Sequence, residues 1–233
     1  MPNAIIVGAS SGIGRALAKE LSREYDLGLA ARRTDRLRAV GEDIGGAHVA
    51  RIDVTQPDAR ERFEDLVDSL GGVDLVVISS GIGRHNPDLE WEPERDTVEV
   101  NVHGFTAIAT AAIDHFEATD GGHLVGISSV AGEIGSPSLP AYSASKAYVS
   151  RYLEGLRYRA GDDIAVTDVR PGFVDTPMSP ESERFWECSP ETAASQIAGA
   201  IAKEKSVAYV TRRWWLVSKV LGLLPDRYRA GVM

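Results

Sequence analysis

Short apolar runs alternate with amphipathic stretches from one end of the chain to the other. The run 4–7 predicts a buried strand, with a helix following over about 12–24. A second strand is expected over 27–31, with a polar helix from near Asp35, and a third strand over 47–52, with Pro57 opening the next helix. The strongly apolar 73–79 is a fourth strand, followed by one long helix over 94–118. Strands are expected again over 123–128, 164–169 and 206–210, separated by a helix over 141–160 and one opened by Ser189-Pro190. Strand and helix alternating in this way predict a three-layer α/β architecture, a doubly wound parallel sheet of about seven strands with right-handed crossovers. Ligands of such sheets sit outside the carboxyl ends of the strands, where the strand order reverses.

Composition narrows this picture. The chain has 233 residues, 43% hydrophobic and 25% charged, enough for one substantial core. We expect a single domain over 1–211, including a lid over 175–189, and an amphipathic tail over 212–233. A net charge of -9 argues against a nucleic-acid partner. The lone Cys188 excludes an internal disulfide and fits a reducing compartment. No basic signal segment precedes the first strand, and no apolar run approaches the roughly 18 residues that span a bilayer. The expectation is a cytoplasmic protein. The five histidines show no metal-ligand spacing, so no catalytic metal is expected.

Candidate chemistry begins at the end of the first strand. There the chain reads Gly8-Ala9-Ser10-Ser11-Gly12-Ile13-Gly14 and enters a helix. Glycines allow a tight turn and close backbone approach to a pyrophosphate, whose charge is favoured at a helix N-terminus. Many loops are rich in glycine and serine, but placement between first strand and first helix gives this one weight. Domains that bind NAD carry an acid at the end of the second strand, for the ribose 2′-hydroxyl. Here that position reads Arg32-Arg33, with no carboxylate. An arginine pairs with a 2′-phosphate where an acid would repel it, so NADP(H) is favoured.

The second cluster lies on the helix after Pro140. Tyr142 and Lys146 stand four apart and so share a helix face, and Ser129 precedes the tyrosine by thirteen positions. A phenol ordinarily titrates near 10, too high for acid–base work near neutrality, and a neighbouring ammonium lowers that value. Ser129 can then share a substrate oxygen with the tyrosine. A tyrosine four residues before a lysine is also common on solvated helix faces. The glycine loop and the strand pattern are what shift the balance towards proton transfer on an alcohol.

With these motifs in order, the chain resembles the shorter, single-domain branch of the short-chain dehydrogenase/reductase family. Gly8 to Gly14, Asp53, Gly81, Asn101, Ser129, Tyr142, Lys146 and Pro171-Gly172 carry the resemblance, which covers about residues 4–210. It implies a Rossmann-like fold, a carbonyl or alcohol substrate, and assembly as a homodimer or homotetramer. Ser10, Ser11 and Ile13 would lie along the adenosine ribose and pyrophosphate, with Arg32 at the 2′-phosphate. Asp53 would meet the adenine amino group beside Val54, and Gly81 would pass under the adenine-side ribose. Val174 and Thr176 would anchor the nicotinamide carboxamide. Tyr142 would be the acid/base, Ser129 its partner on the substrate oxygen, and Lys146 would hold the nicotinamide ribose. Asn101 would complete a water-linked proton path. Two departures stand out: Val7 replaces a common threonine, and Ile78-Ser79-Ser80-Gly81 replaces Asn-Asn-Ala-Gly. The lost asparagine hydrogen bonds are expected to pass to Ser79 and Ser80.

Other readings remain at this point. An NADP-binding sensor or scaffold would keep the pocket without turnover, yet would not need Asn101, Ser129, Tyr142 and Lys146 together. An epimerase or dehydratase needs a larger substrate domain than the chain after Pro171 provides. Met178, Phe185, Trp186 and Cys188 make the lid partly apolar, and Ala131, Ile134 and Leu139 are expected to line the same pocket, which suits a lipophilic substrate. Cys188 is expected to be buried rather than nucleophilic. In the tail, Trp214-Trp215 and the aliphatic run that follows sit among Arg212, Arg213, Lys219, Arg227 and Arg229. Segment 212–225 therefore resembles an interfacial helix on anionic lipid. The alternative, packing on its own pocket or a neighbouring subunit, is favoured because most short apolar helices are buried in protein.

Overall fold

The computed structural model describes residues 1–176 and 186–216. Seven strands form one sheet: β1 (Asn3–Val7), β2 (Asp26–Ala31), β3 (His48–Arg51), β4 (Leu75–Ile78), β5 (Gly122–Ile127), β6 (Ile164–Pro171) and β7 (Val207–Val210). They lie in the order β3-β2-β1-β4-β5-β6-β7, and every neighbouring pair is parallel. The helices between them are α1 (Gly12–Leu21), α2 (Thr34–Asp43), α3 (Ala59–Leu70), α4 (Trp91–Val98), α5 (Phe105–Ala118), α6 (Pro140–Arg159) and α7 (Pro190–Ile201).

β1 shows why its sequence reads as an unbroken apolar run. Ala4 and Ile6 face a core made with α1, α2 and α7, whereas Ile5 and Val7 face one made with α3, α5 and α6. Successive strand side chains point to opposite faces, so a sheet covered on both sides demands apolar residues at every position. All four are within 1% of complete burial. In register, Val7 stands beside both Ala30 and Ile78. The carboxyl ends of β2, β1 and β4 therefore finish level, and the order reverses between β1 and β4. That edge is where the glycine loop emerges.

The strand and helix alternation predicted from the sequence holds from end to end, with boundaries moved by a few residues. One element differs in kind. The single helix expected over 94–118 is α4 and α5 joined by a wide π turn, Glu99–Gly104. Its physical cause is side-chain placement: Asn101, inside the turn, bonds the backbone of Ile82 in both directions, accepting from its N–H and donating to its carbonyl at 2.8 Å each. Gly104 closes the same turn against Val54, where a Cβ would come within 2.5 Å of the valine side chain. Such turns inside helices often mark functional sites. Among the described residues no helix is long and apolar enough to cross a membrane.

Candidate active site

A cleft of about 1120 Å³ runs along the carboxyl edge of the sheet, from Arg32 and Arg33 at one end to Trp186 and Trp214 at the other. The glycine loop forms its floor. Gly8 (φ +96) and Gly12 (φ +53) adopt the left-handed backbone that side chains disfavour. A Cβ on Gly8 would lie 2.5 Å from the Ser80 amide, and one on Gly14 would overlap the Gly8 carbonyl. Glycine is therefore required here by conformation and by space. The start of α1, with Ser11 as its N-cap residue, opens into the cleft beside Ser10, Gly12 and Ile13. Free amide groups at a helix start, reached over a floor without side chains, fit the pyrophosphate of a dinucleotide.

At the end of β2 the arginines divide. Arg33 crosses the loop and donates to Ser10 Oγ at 3.2 Å and Ser11 Oγ at 3.1 Å. Arg32 lines the cleft and is exposed. The Arg33 guanidinium titrates below its ordinary value because of partial burial first, and then the charges of Arg36 and Arg32. A crowded cationic corner of this kind gains from a bound anion. Asp53 and Val54 line the wall next to it, and one carboxylate oxygen of Asp53 is already taken by the Thr55 amide and hydroxyl at 3.2 and 2.8 Å.

Midway along, α6 brings Tyr142 and Lys146 to the cleft opposite Ser129. Lys146 is 5% exposed and donates to the Ile127 carbonyl at 2.9 Å. Its ammonium lies 5.8 Å from the centre of the Tyr142 ring. Burial pulls its pKa down to about 8, a fall that the Asp168 carboxylate partly offsets. Ser129 is the N-cap of a 3-10 turn, Val130–Glu133, and accepts from the Ala131 amide at 3.1 Å. Asn101 and Gly14 stand behind the wall rather than in it. Asn101 donates to Ser145 Oγ at 3.0 Å, and Ser145 donates to the Tyr142 carbonyl at 2.7 Å, so the π turn is tied to the helix that carries the tyrosine. Gly81 lies between: a Cβ there would be 3.4 Å from both Asn101 Oδ1 and Lys146 Nζ.

Pro171, Gly172, Val174 and Thr176 line the far half, as do Ala131, Ile134 and Leu139. Of the lid expected over 175–189, positions 177–185 lie outside the described residues, Met178 and Phe185 with them. Cys188 pairs along the backbone with Val174, its amide bonding the Phe173 carbonyl at 3.1 Å and its carbonyl the Asp175 amide at 3.0 Å. Cys188 is half-buried rather than buried, and burial first, then the Glu187 charge, raises its thiol pKa and favours the protonated form. The expectation for Ser80 fails. Its hydroxyl is buried with no hydrogen-bond partner, so it does not inherit the asparagine bonds.

Two features escaped the sequence reading. Gly132 lets the turn bearing Ser129 lie directly on α6, where a Cβ would meet the Ala147 amide at 2.7 Å. An ionic chain that starts from the buried Ser128 and Asp168 and runs out to a partly exposed Arg170 and Glu133 holds the other side of that turn. Ser128 donates to Asp168, Arg170 reaches Asp168 at 2.7 Å and Glu133 at 3.0 Å, and Tyr209 donates to Glu133 at 2.6 Å. Burial works against the Arg170 charge, but Asp168 outweighs it and holds the guanidinium above its ordinary pKa. No local pattern announces either, because each partner is remote in sequence. Trp214 is 8% exposed and packed edge-to-face on Phe173 and Trp186, as the favoured reading of a segment packed on its own pocket expects.

A dinucleotide cradle joined to a tyrosine, a lysine and a serine on one cleft defines the class: a Rossmann-type oxidoreductase. A family model described as short chain dehydrogenase matches residues 2–185, and the chain belongs to the short-chain dehydrogenase/reductase family. An uncharacterized oxidoreductase of Myxococcus xanthus is 39% identical over 185 residues, covering 76% of this chain and 73% of the relative. Among solved structures, a short-chain dehydrogenase from Sphingobium yanoikuyae in complex with NADPH superposes with a TM-score of 0.81 at 22% identity, covering 97% of both chains. A short-chain dehydrogenase/reductase from Burkholderia phymatum in complex with NAD gives 0.82 at 22% identity, over 94% of this chain and 92% of that one. The shared fold thus accommodates either nicotinamide cofactor.

Proposed function

We propose that this protein is an NADP(H)-dependent oxidoreductase that interconverts a carbonyl and an alcohol on a partly lipophilic small molecule. The observation that carries the reading is the meeting of Ser129, Tyr142 and Lys146 on the same cleft as the glycine cradle. Bound NADPH supplies the hydride. Gly8 and Gly12 would hold its pyrophosphate at the start of α1, Gly14 behind them giving the loop room; Asp53 and Val54 would border the adenine, and Val174 and Thr176 would take the nicotinamide carboxamide. Ser129 and Tyr142 hold and polarise the substrate oxygen, and in reduction Tyr142 donates the proton to it. Lys146 places positive charge near the phenol, which favours loss of that proton. Asn101, fixed by Ile82 and Ser145, holds the π turn against α6 and keeps the relay aligned.

The choice of NADP(H) over NAD(H) rests on Arg32 and Arg33. No carboxylate stands at the end of β2, and a 2′-phosphate there would meet two guanidinium groups.

A panel of ketones, aldehydes and secondary alcohols, followed through the near-ultraviolet absorbance of the reduced nicotinamide, tests the reading. Turnover with NADPH or NADP⁺ that exceeds turnover with NADH or NAD⁺ is expected. Tight NADPH binding with no turnover across the panel would move the protein to the sensor class.

A further inference from the structure

We propose that Trp214, from the segment beyond β7, is the specificity-determining wall of the substrate end, and that it fits the cleft to flat, apolar ring substrates. This rests on the cleft being the carbonyl/alcohol site proposed above. The cleft lined by Ser129 and Tyr142 is lined also by Trp214. The indole stands edge-to-face against Phe173, with centroids 5.3 Å apart at 85°, and against Trp186, 6.3 Å at 85°. Three aromatic rings therefore cluster at the substrate end of a cleft that Ile134 and Leu139 also line. Aromatic and aliphatic side chains together complement a flat apolar body better than a small polar one.

Gly172 shows that the seat is built. Its φ is outside the left-handed region, so its backbone does not demand glycine. Space does: a Cβ there would overlap the indole Nε1 and two ring carbons of Trp214. The glycine leaves room for the Trp214 indole. The indole N–H is buried and finds no acceptor, so the ring is held by packing alone. A wall held in this way can shift against a ligand without breaking a hydrogen bond. Trp215 and Leu216, the next two residues, face outward at 52% and 60% exposure. Trp214 is thus the member of its pair committed to the cleft.

The test compares Trp214→Ala and Trp214→Phe with wild type on a fused-ring aryl ketone and a four-carbon aliphatic ketone, with NADPH affinity measured alongside. Trp214→Ala should raise KM for the aryl ketone about tenfold or more, with kcat changing far less. KM for the small ketone and the Kd for NADPH should stay within about twofold, and Trp214→Phe should behave like wild type on both ketones. If the alanine variant loses NADPH binding, Trp214→Leu takes its place. Equal changes in KM for both ketones, or an unchanged aryl KM, overturn the proposal. Calorimetric binding of the aryl ketone to the NADPH complex separates this failure from that of the reaction itself. Binding weakened in Trp214→Ala without any turnover keeps the wall and sinks the oxidoreductase reading. No binding to wild type sinks the wall.

Discussion

At the adenosine end of the cleft, Gly8, Gly12 and Gly14 fall within one turn of chain and act through backbone and empty space. At the proposed substrate end, Ser129, Trp186 and Trp214 arrive from separate segments with their side chains in the cleft, and Gly172 leaves space for the Trp214 indole. The contrast reflects what each end must do. A pyrophosphate presents the same charge and shape whatever the substrate, so main-chain amides on a helix start suffice, and those are set by a contiguous motif. A substrate must be told from its analogues, which requires side chains of particular shape placed around it. Between the two ends lie Tyr142 and Lys146, a contiguous motif again, but on a helix held by the remote contacts of Gly132 and Asn101.

Removing chemistry without disturbing either end is the sharpest probe of this division. Tyr142→Phe deletes one hydroxyl and leaves the ring. Turnover should fall at least about 10²-fold, the ordinary contribution of a positioned acid or base. NADPH affinity should hardly change, since the cradle is elsewhere. Steady-state kinetics with a cofactor titration checks both. Wild-type kcat in the variant would remove Tyr142 from its role, and lost NADPH affinity would show that the ends are not independent.

A smaller effect is expected at the arginine corner. Arg33→Ala removes the bonds to Ser10 and Ser11 as well as a charge, whereas Arg32→Ala removes an exposed charge alone. Each should weaken NADPH binding more than about tenfold, or 1.4 kcal/mol, if the guanidinium meets the 2′-phosphate. NADH binding should change little in Arg32→Ala. It should weaken modestly in Arg33→Ala, because the loop loses its brace. Isothermal titration with both cofactors decides. Equal losses for NADPH and NADH in both variants would make the pair structural and return the choice of cofactor to the rest of the cleft.

The same division explains what could be read before folding. The alternation of strands and helices was legible because a sheet buried on both faces leaves long apolar runs, as at 4–7 and 73–79. The glycine loop and the Tyr142–Lys146 pair were legible because each is complete within a few residues. The π turn was not, since nothing in the spacing of Glu99–Gly104 marks a wide turn, which follows from Asn101 reaching Ile82, nineteen positions away, and Gly104 packing on Val54. Ser80 misled because a serine where alanine is usual promises a hydrogen bond, and burial left it none. For Trp214 the favoured reading, packing on the protein's own pocket or a neighbouring subunit, agrees with its burial but names no seat. That seat is made by Gly172 and Phe173, about forty positions earlier, and no periodicity links them.

The smallest expected effect, one of pH, separates the two ends within a single ligand. Lys146 has its pKa pulled from 10.5 to about 8 by burial, so in the free protein it is charged below that pH and neutral above it. In the proposed arrangement its ammonium bonds the nicotinamide ribose, so cofactor affinity should fall as pH rises through about 8. The weakening should be several-fold between about pH 7 and 9.5, where the 2′-phosphate is already fully ionised, its second pKa being near 6. The arginines keep their charge throughout. A fragment carrying only the phosphorylated adenosine diphosphate half should therefore bind with a flat profile, while NADPH shows the fall. Unfolding does not mimic this. A lysine whose folded pKa is depressed leaves the unfolded chain holding more protons between about 8 and 10.5, so this group stabilises the fold as pH rises there. Lys146→Met should flatten the NADPH profile, and a fragment profile that falls in parallel with it would place the titrating group at the adenosine end.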